Sequence, residues 1–196
     1  MKGQRDMMYF TADTHFGHEA IMHMAKRSFS SVVAMNTQLI DRINERVGAK
    51  DSLYVLGDFC YELPLEAATR LRERIACEHV HLVLGNHDGL WREHPDKAAE
   101  LFESVAEYRE IEPGYAHGHR LVLFHYPMLT WCARWRASIH LHGHIHGVGD
   151  AGNRRNRERH ILRYDVGVDA NGYYPVSRDE ILAFFDGVEP GRPSAR

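Results

Sequence analysis

Three observations on this chain of 196 residues predict an α/β fold in which two packed sheets carry helices on their outer faces. The first half alternates strand-like and helix-like segments, the rhythm of a layered α/β arrangement. The second half has several short strand-like runs with few helices between them, which reads as a partner sheet. Five polar clusters each follow an apolar, strand-like run, so their side chains would gather on one rim of the sheets.

The elements follow in order. Met7 to Ala12, with aromatic and β-branched character, reads as a buried first strand ending at Asp13. Helical periodicity covers Glu19 to about Lys26, then Asn36 to about Arg46, where Leu39, Ile40, Ile43 and Val47 share an apolar face. Asn36 is the expected N-cap of that second helix and Gly48 its stop. Leu53 to Leu56 forms the second strand, Pro64 to about Ala76 a helix, and Val80 to Leu84 the third strand. Strands are expected at Leu121 to Phe124, Ser138 to Leu141 and Ile161 to Tyr164. A last helix runs from Arg178 to about Phe185, since Ser177 and Glu180 have capping-box spacing. One domain over residues 1–187 is expected, with a disordered tail at 188–196 that contains Pro190, Gly191 and Pro193.

Composition sets bounds. A formal net charge of -3, with 44% hydrophobic and 26% charged residues, gives no strong electrostatic pull toward nucleic acid. Three cysteines, Cys60, Cys77 and Cys132, are odd in number and lack C-x-x-C spacing, which argues against a disulfide framework and a zinc ribbon. The start carries no signal-peptide core, and no apolar stretch approaches the roughly 20 residues of a membrane helix. A cytoplasmic protein with no membrane partner is expected.

The five clusters are Asp13-Thr14-His15, Gly57-Asp58, Gly85-Asn86-His87-Asp88, His125 and Gly143-His144-Ile145-His146. Histidine is the compositional outlier, with 15 copies. Neutral imidazole is a common ligand for divalent transition metals, carboxylate oxygen bridges metals well, and an Asn carbonyl completes a shell. A His/Asp/Asn set without Cys suits Mn, Fe, Zn, Co or Ni better than a structural zinc site. His23, His79, His81, His94, His117, His119 and His160 have no such context and are read as structural.

In this order the clusters resemble the signature of the calcineurin-like metallophosphoesterase superfamily, D-x-H, G-D, G-N-H-D, H and G-H-x-H, complete from Asp13 to His146. Asp13-Thr14-His15-Phe16-Gly17-His18 and Val166-Gly167-Val168-Asp169 are similar to its small bacterial and phage-type members. The resemblance implies a four-layer αββα sandwich, the metallo-dependent phosphatase fold, with two mixed sheets and a two-metal centre at the strand ends. It implies that Asp13, His15 and His146 bind one metal and Asn86, His125 and His144 the other, with Asp58 bridging. A shared carboxylate offsets the repulsion of two cations about 3.5–4 Å apart. Mn is the expected metal, with Fe, Zn, Ni or Co as alternatives.

The resemblance further implies attack of a metal-activated hydroxide on phosphorus, with His87 assisting the leaving group and Asp88 orienting His87. His144 and His146, two apart on one strand, would face the same side. His140 and His142 would share that face, one of them as a partner to a ligand. The glycines before Asp58, Asn86 and His144 would let the backbone turn sharply.

Around the site, alternatives stand. His18 either contacts substrate or hydrogen-bonds within its loop. The run Gly152 to His160 is either a solvated loop or a source of arginines, Arg154 and Arg155 among them, that grip substrate phosphate. The expected activity is hydrolysis of phosphate mono- or diesters, with nucleotides or nucleic acid among the substrates. The rivals are a non-catalytic interaction scaffold that keeps the fold and a structural zinc protein, the latter disfavoured by ligand type.

Overall fold

The computed structural model describes residues 7–112 and 119–191. The first half runs β1 (Met8–Thr11), α1 (Glu19–Met24), α2 (Val32–Arg46), β2 (Ser52–Leu56), α3 (Leu65–Glu73), β3 (His79–Val83), α4 (Gly89–Glu93), α5 (Pro95–Leu101) and β4 (Ser104–Ala106). The second runs β5 (Tyr108–Ile111), β6 (Leu121–Phe124), β7 (Ile139–His142), α6 (Ala151–Glu158), β8 (Arg163–Asp165), β9 (Val176–Ser177) and α7 (Arg178–Phe184).

These strands form two mixed sheets flanked by helices. The first has the order β4-β3-β2-β1-β9, parallel except for β9. The second has the order β5-β6-β7-β8, parallel except for β5. Period-two alternation sorts the residues of each strand between two cores. Phe10, Tyr54, Leu56 and Val83 of the first sheet meet Leu121, Leu123, Ile139, Leu141 and Tyr164 of the second. Leu53, Val55, Val80 and Leu82 point the other way, onto α1 to α5 through Ile21, Met35, Leu39, Ala68, Trp91 and Ala98. Apolar strands buried on both faces account for the continuous hydrophobic runs in the sequence.

Local chemistry fixes the helix ends. Ser31, not Asn36, caps α2: its hydroxyl accepts from the Ala34 N–H at 3.1 Å, and the helix gains a first turn containing Val32 and Val33. Asn36 has a different partner, since its Oδ1 accepts from the Gly17 N–H at 3.1 Å. The capping box of α7 is present, with Ser177 and Glu180 satisfying each other's backbone N–H groups.

The run expected to be a loop at 152–160 is largely helical, as α6. Its buried residue is Asn153, whose side chain exchanges hydrogen bonds with the Asp165 backbone, Nδ2 to O at 3.0 Å and N to Oδ1 at 2.7 Å. Of the tail expected at 188–196, residues 192–196 lie outside the described region, and the Gly191 N–H donates to the His160 carbonyl at 2.9 Å. Among the described residues no helix is long and apolar enough to cross a membrane.

Candidate metal centre

Asp13 follows β1, Asp58 follows β2, Asn86 follows β3, His125 follows β6, and His144 and His146 follow β7. Parallel strands present their C-terminal ends on one side, so five loops converge there. Backbone bonds hold the loops in register. The Asp13 and His15 N–H groups donate to Gly57 and Asp58 carbonyls at 3.0 and 2.9 Å, and the Gly143 N–H donates to His125 at 3.0 Å. Val168 ties the loop after β8 to Ala12 at 3.1 Å.

Two groups of side chains result, each able to hold a metal ion: Asp13, His15 and His146, and Asp58, His125 and His144. Asp58 stands between them. Its Oδ2 is 3.4 Å from His15 Nε2 and 3.4 Å from His125 Nε2. Asn86 joins the second group, with Oδ1 3.0 Å from His125 Nε2. The donor set fits a divalent cation on a further ground: His15 Nε2 is buried with no hydrogen-bond partner, aimed at the carboxylates.

The space around the ligands is equally committed. A methyl group on Gly143 would stand 2.5 Å from Asp13 Oδ2, and one on Gly85 would collide with the Asp58 carboxylate. Neither glycine has a positive φ, so close approach rather than a sharp turn requires them. The unusual backbones belong to the ligands themselves: Asp13, His15, Asp58, His144 and His146 all have φ between 47° and 73°. His144 and His146 therefore lie beyond the end of β7, in a left-handed loop, and strand alternation does not place them. His140 and His142 do sit on β7, facing outward, and their rings bond to backbone groups. His140 Nδ1 meets the Val122 carbonyl at 3.0 Å, and His142 Nδ1 meets the Gly143 carbonyl at 2.8 Å.

Burial shapes the site's protonation. It pushes the Asp13 carboxyl up to about 7 against the pull of His146 and His125, and the His15 imidazole down to about 4. For Asp58 burial works upward too, yet the His125 and His15 rings, each 3.4 Å away, hold it well below the usual carboxylate range. His125 is raised, because Asp58 and Asp13 outweigh its desolvation.

His87 lies exposed beside the groups, its ring centroid 5.3 Å from that of His15, and its N–H donates to Asp58 Oδ1 at 2.8 Å. Among the described residues no hydrogen bond joins Asp88 to the His87 ring. The Asp88 carboxylate is buried and accepts three backbone N–H groups, from Gly85 and Asp58 at 2.8 Å and from Phe59 at 3.0 Å. It fastens the Asp58 loop to the Asn86 loop. A cavity of about 260 Å³ opens over His15, Asp58, Asn86, His87, His144 and His146. A cleft of about 540 Å³ adjoins it and shares Asn86 and His87.

His18 turns inward. Its Nδ1 is 3.1 Å from His15 Nδ1 and its ring stacks on Tyr61 at 3.8 Å. Arg154 and Arg155 are exposed on α6, where Arg154 pairs with Asp150 at 2.6 Å, and neither lines the cavity. Sequence reasoning missed Arg27 and gave Asp169 no role. Asp169 Oδ2 lies 2.9 Å from His146 Nδ1, and Arg27 grips Asp169 from the other side.

Comparison with known proteins adds a relative. The chain is 32% identical over 182 residues to the uncharacterized protein MJ1445 of Methanocaldococcus jannaschii, covering 91% of each. It belongs to the family of that archaeal protein. The crystal structure of AQ665 from Aquifex aeolicus, a protein of unknown function, superposes with a TM-score of 0.69 and 25% identity over 91% of this chain and 99% of that one. A superposition on nuclease MPE from Pseudomonas putida has a TM-score of 0.46 at 24% identity, over 70% of this chain and 60% of that one, too loose to define a shared fold. No family model matches the chain.

Proposed function

We propose that this chain is a metal-dependent phosphoesterase of the calcineurin-like superfamily, with the metallo-dependent phosphatase fold, acting on phosphate mono- or diesters. The observation that carries the reading is the position of Asp58, 3.4 Å from a histidine of each Asp/His group, beside an exposed His87. One carboxylate between two such groups suits a pair of cations rather than a single structural ion.

Asp13, His15 and His146 would hold one ion, and Asn86, His125 and His144 the other, with Asp58 shared. Once bound, the ions would lower the pKa of water enough to supply a nucleophile near neutral pH and would neutralise phosphate oxygens, Mn being the metal we favour. His87 lines both the cavity and the adjoining cleft, so its imidazole can hand a proton to the departing oxygen of an ester whose alcohol lies in the cleft. The cleft, about 540 Å³, has room for nucleotides and nucleic-acid ends among candidate substrates. All three cysteines are free thiols, which supports a reducing, cytoplasmic compartment.

The test is hydrolysis of p-nitrophenyl phosphate and bis-p-nitrophenyl phosphate by metal-free protein supplied with Mn, Fe, Zn, Ni or Co. Turnover should depend on added metal, fall at least 100-fold in Asp58→Asn and fall roughly 100- to 10,000-fold in His87→Ala, the range for losing a general acid. Inertness of the wild type toward both esters with every metal would sink the reading and favour a non-catalytic scaffold.

A further inference from the structure

The two groups of ligands are not supported alike. In the second, His125 Nδ1 bonds to the Leu56 carbonyl at 2.8 Å, and no ring hydrogen bond of His144 is found among the described residues. In the first, His146 leans on a charged residue buried deep in the protein. Its Nδ1 is 2.9 Å from Asp169 Oδ2, and the Asp169 side chain is 2% exposed. A carboxylate can only accept, so Nδ1 carries a proton, and in the neutral ring Nε2 is then the nitrogen whose lone pair remains for a cation held with Asp13 and His15.

Asp169 is itself immobilised. Arg27, whose side chain is 0% exposed, donates Nε to Oδ1 at 2.7 Å and Nη2 to Oδ2 at 2.8 Å. The same guanidinium donates to the Asp13 carbonyl at 2.7 Å and to the Thr14 carbonyl at 3.1 Å. One buried cation thus locks the backbone of one ligand and, through Asp169, the ring of another. His146 needs this, since it sits half-buried on a loop with φ 47° and without Asp169 its ring is free to rotate or change tautomer.

We propose that Asp169, clamped by Arg27, is the positioning residue that sets the metal affinity of the Asp13, His15 and His146 group and leaves that of the Asp58, His125 and His144 group unaffected. The inference rests on the metal-centre reading above. Residues that orient a ligating histidine through its second ring nitrogen typically govern affinity by 10- to 100-fold.

The experiment titrates Mn into metal-free protein by calorimetry, with the bound ions counted after desalting. Wild type should bind two ions per chain. Asp169→Asn should weaken one of them 10- to 100-fold and leave the other within about twofold, and Asp169→Glu should recover part of the loss. Nitrogen-15 spectra of the metal-free protein give a second readout: His146 should be the Nδ1–H tautomer in wild type and shift toward Nε2–H in Asp169→Asn. Because Asp169→Asn leaves Arg27 unpaired, the double variant Arg27→Met with Asp169→Leu removes the pair without stranding a charge, and it should show the same selective loss. Two tight ions in either folded variant, or equal weakening of both, would overturn the proposal. Failure of wild type to bind any ion would remove the metal-centre reading and this inference together, whereas two ions bound with no effect of Asp169 would remove only the inference.

Discussion

Arg27 and Asp169 are 142 positions apart in the sequence and meet as a buried, two-pronged ion pair. The pair joins the loop after α1 to the loop after β8, at the back of the ligand rim. Breaking it from one side strands a carboxylate and frees the Asp13 and Thr14 carbonyls, and half-broken buried pairs cost about 3–5 kcal/mol. Arg27→Ala should therefore lower the urea unfolding free energy of the metal-free protein by that amount. A loss under about 1 kcal/mol would mean that water replaces the guanidinium.

Asp88 offers a sharper separation of roles. Three N–H groups converge on its carboxylate, whereas an amide in its place could accept with one oxygen only and would turn its NH₂ toward a donor. Asp88→Asn should destabilise the metal-free protein by roughly 2–4 kcal/mol, from hydrogen bonds to a charged group worth about 1.5–3 kcal/mol each. A residue that merely oriented His87 would leave unfolding unchanged and alter only turnover.

At Gly143 the expectation is steric. The added methyl of Gly143→Ala meets both the Ala12 side chain and the Asp13 carboxylate at 2.5 Å. Overpacking of this kind costs roughly 1–3 kcal/mol, and relief requires Asp13 to move. Denaturant unfolding and a metal titration should report that destabilisation together with at least a tenfold loss of affinity for one ion. Unchanged affinity in a folded variant would show that the Asp13 carboxylate can shift without harm.

The outward face of β7 makes the fold acid-sensitive. His140 is fully buried, and desolvation holds its imidazole down to about 4, with Arg163 on β8 adding to the depression and the Val122 and Tyr126 carbonyls opposing it. His142 beside it is held down to about 3, also by burial. The folded state keeps His140 neutral while the unfolded chain takes up a proton below about 6.5, so stability falls as pH drops from about 6.5 to about 4. At about 1.4 kcal/mol per pKa unit the loss attributable to His140 is of order 3 kcal/mol. His140→Gln should make unfolding free energy measured across that window shallower by close to one proton. An unaltered slope would assign the sensitivity elsewhere.

Much of this was legible in the sequence wherever a short apolar run ended at a polar cluster. Buried parallel strands need continuous hydrophobic runs, so the polar residues that end such runs, Asp13, Asp58, Asn86 and His125, could be placed at strand ends from the sequence. Ser177 and Glu180 announced α7 in the same local way. What escaped depended on tertiary partners. The first turn of α2 holds two β-branched valines that mask a helix, and Asn36, a natural cap, is taken by Gly17. Helix α6 has almost no apolar face and docks by the hydrogen bonds of Asn153, which no hydrophobic period reveals. Arg27 is one of 24 lysines and arginines, and only its distant partner marks it.

The left-handed backbones of Asp13, His15, Asp58, His144 and His146 have a consequence for how this protein could change over time. Each costs an L-residue about 1 kcal/mol that glycine would not incur. Together they come to about 5 kcal/mol, comparable to the lower end of an ordinary domain's stability margin of about 5–15 kcal/mol. A lineage released from holding metal would be free to relax there first, one glycine at a time. Erosion of these five positions in a relative would therefore mark lost activity earlier than any decay of its core.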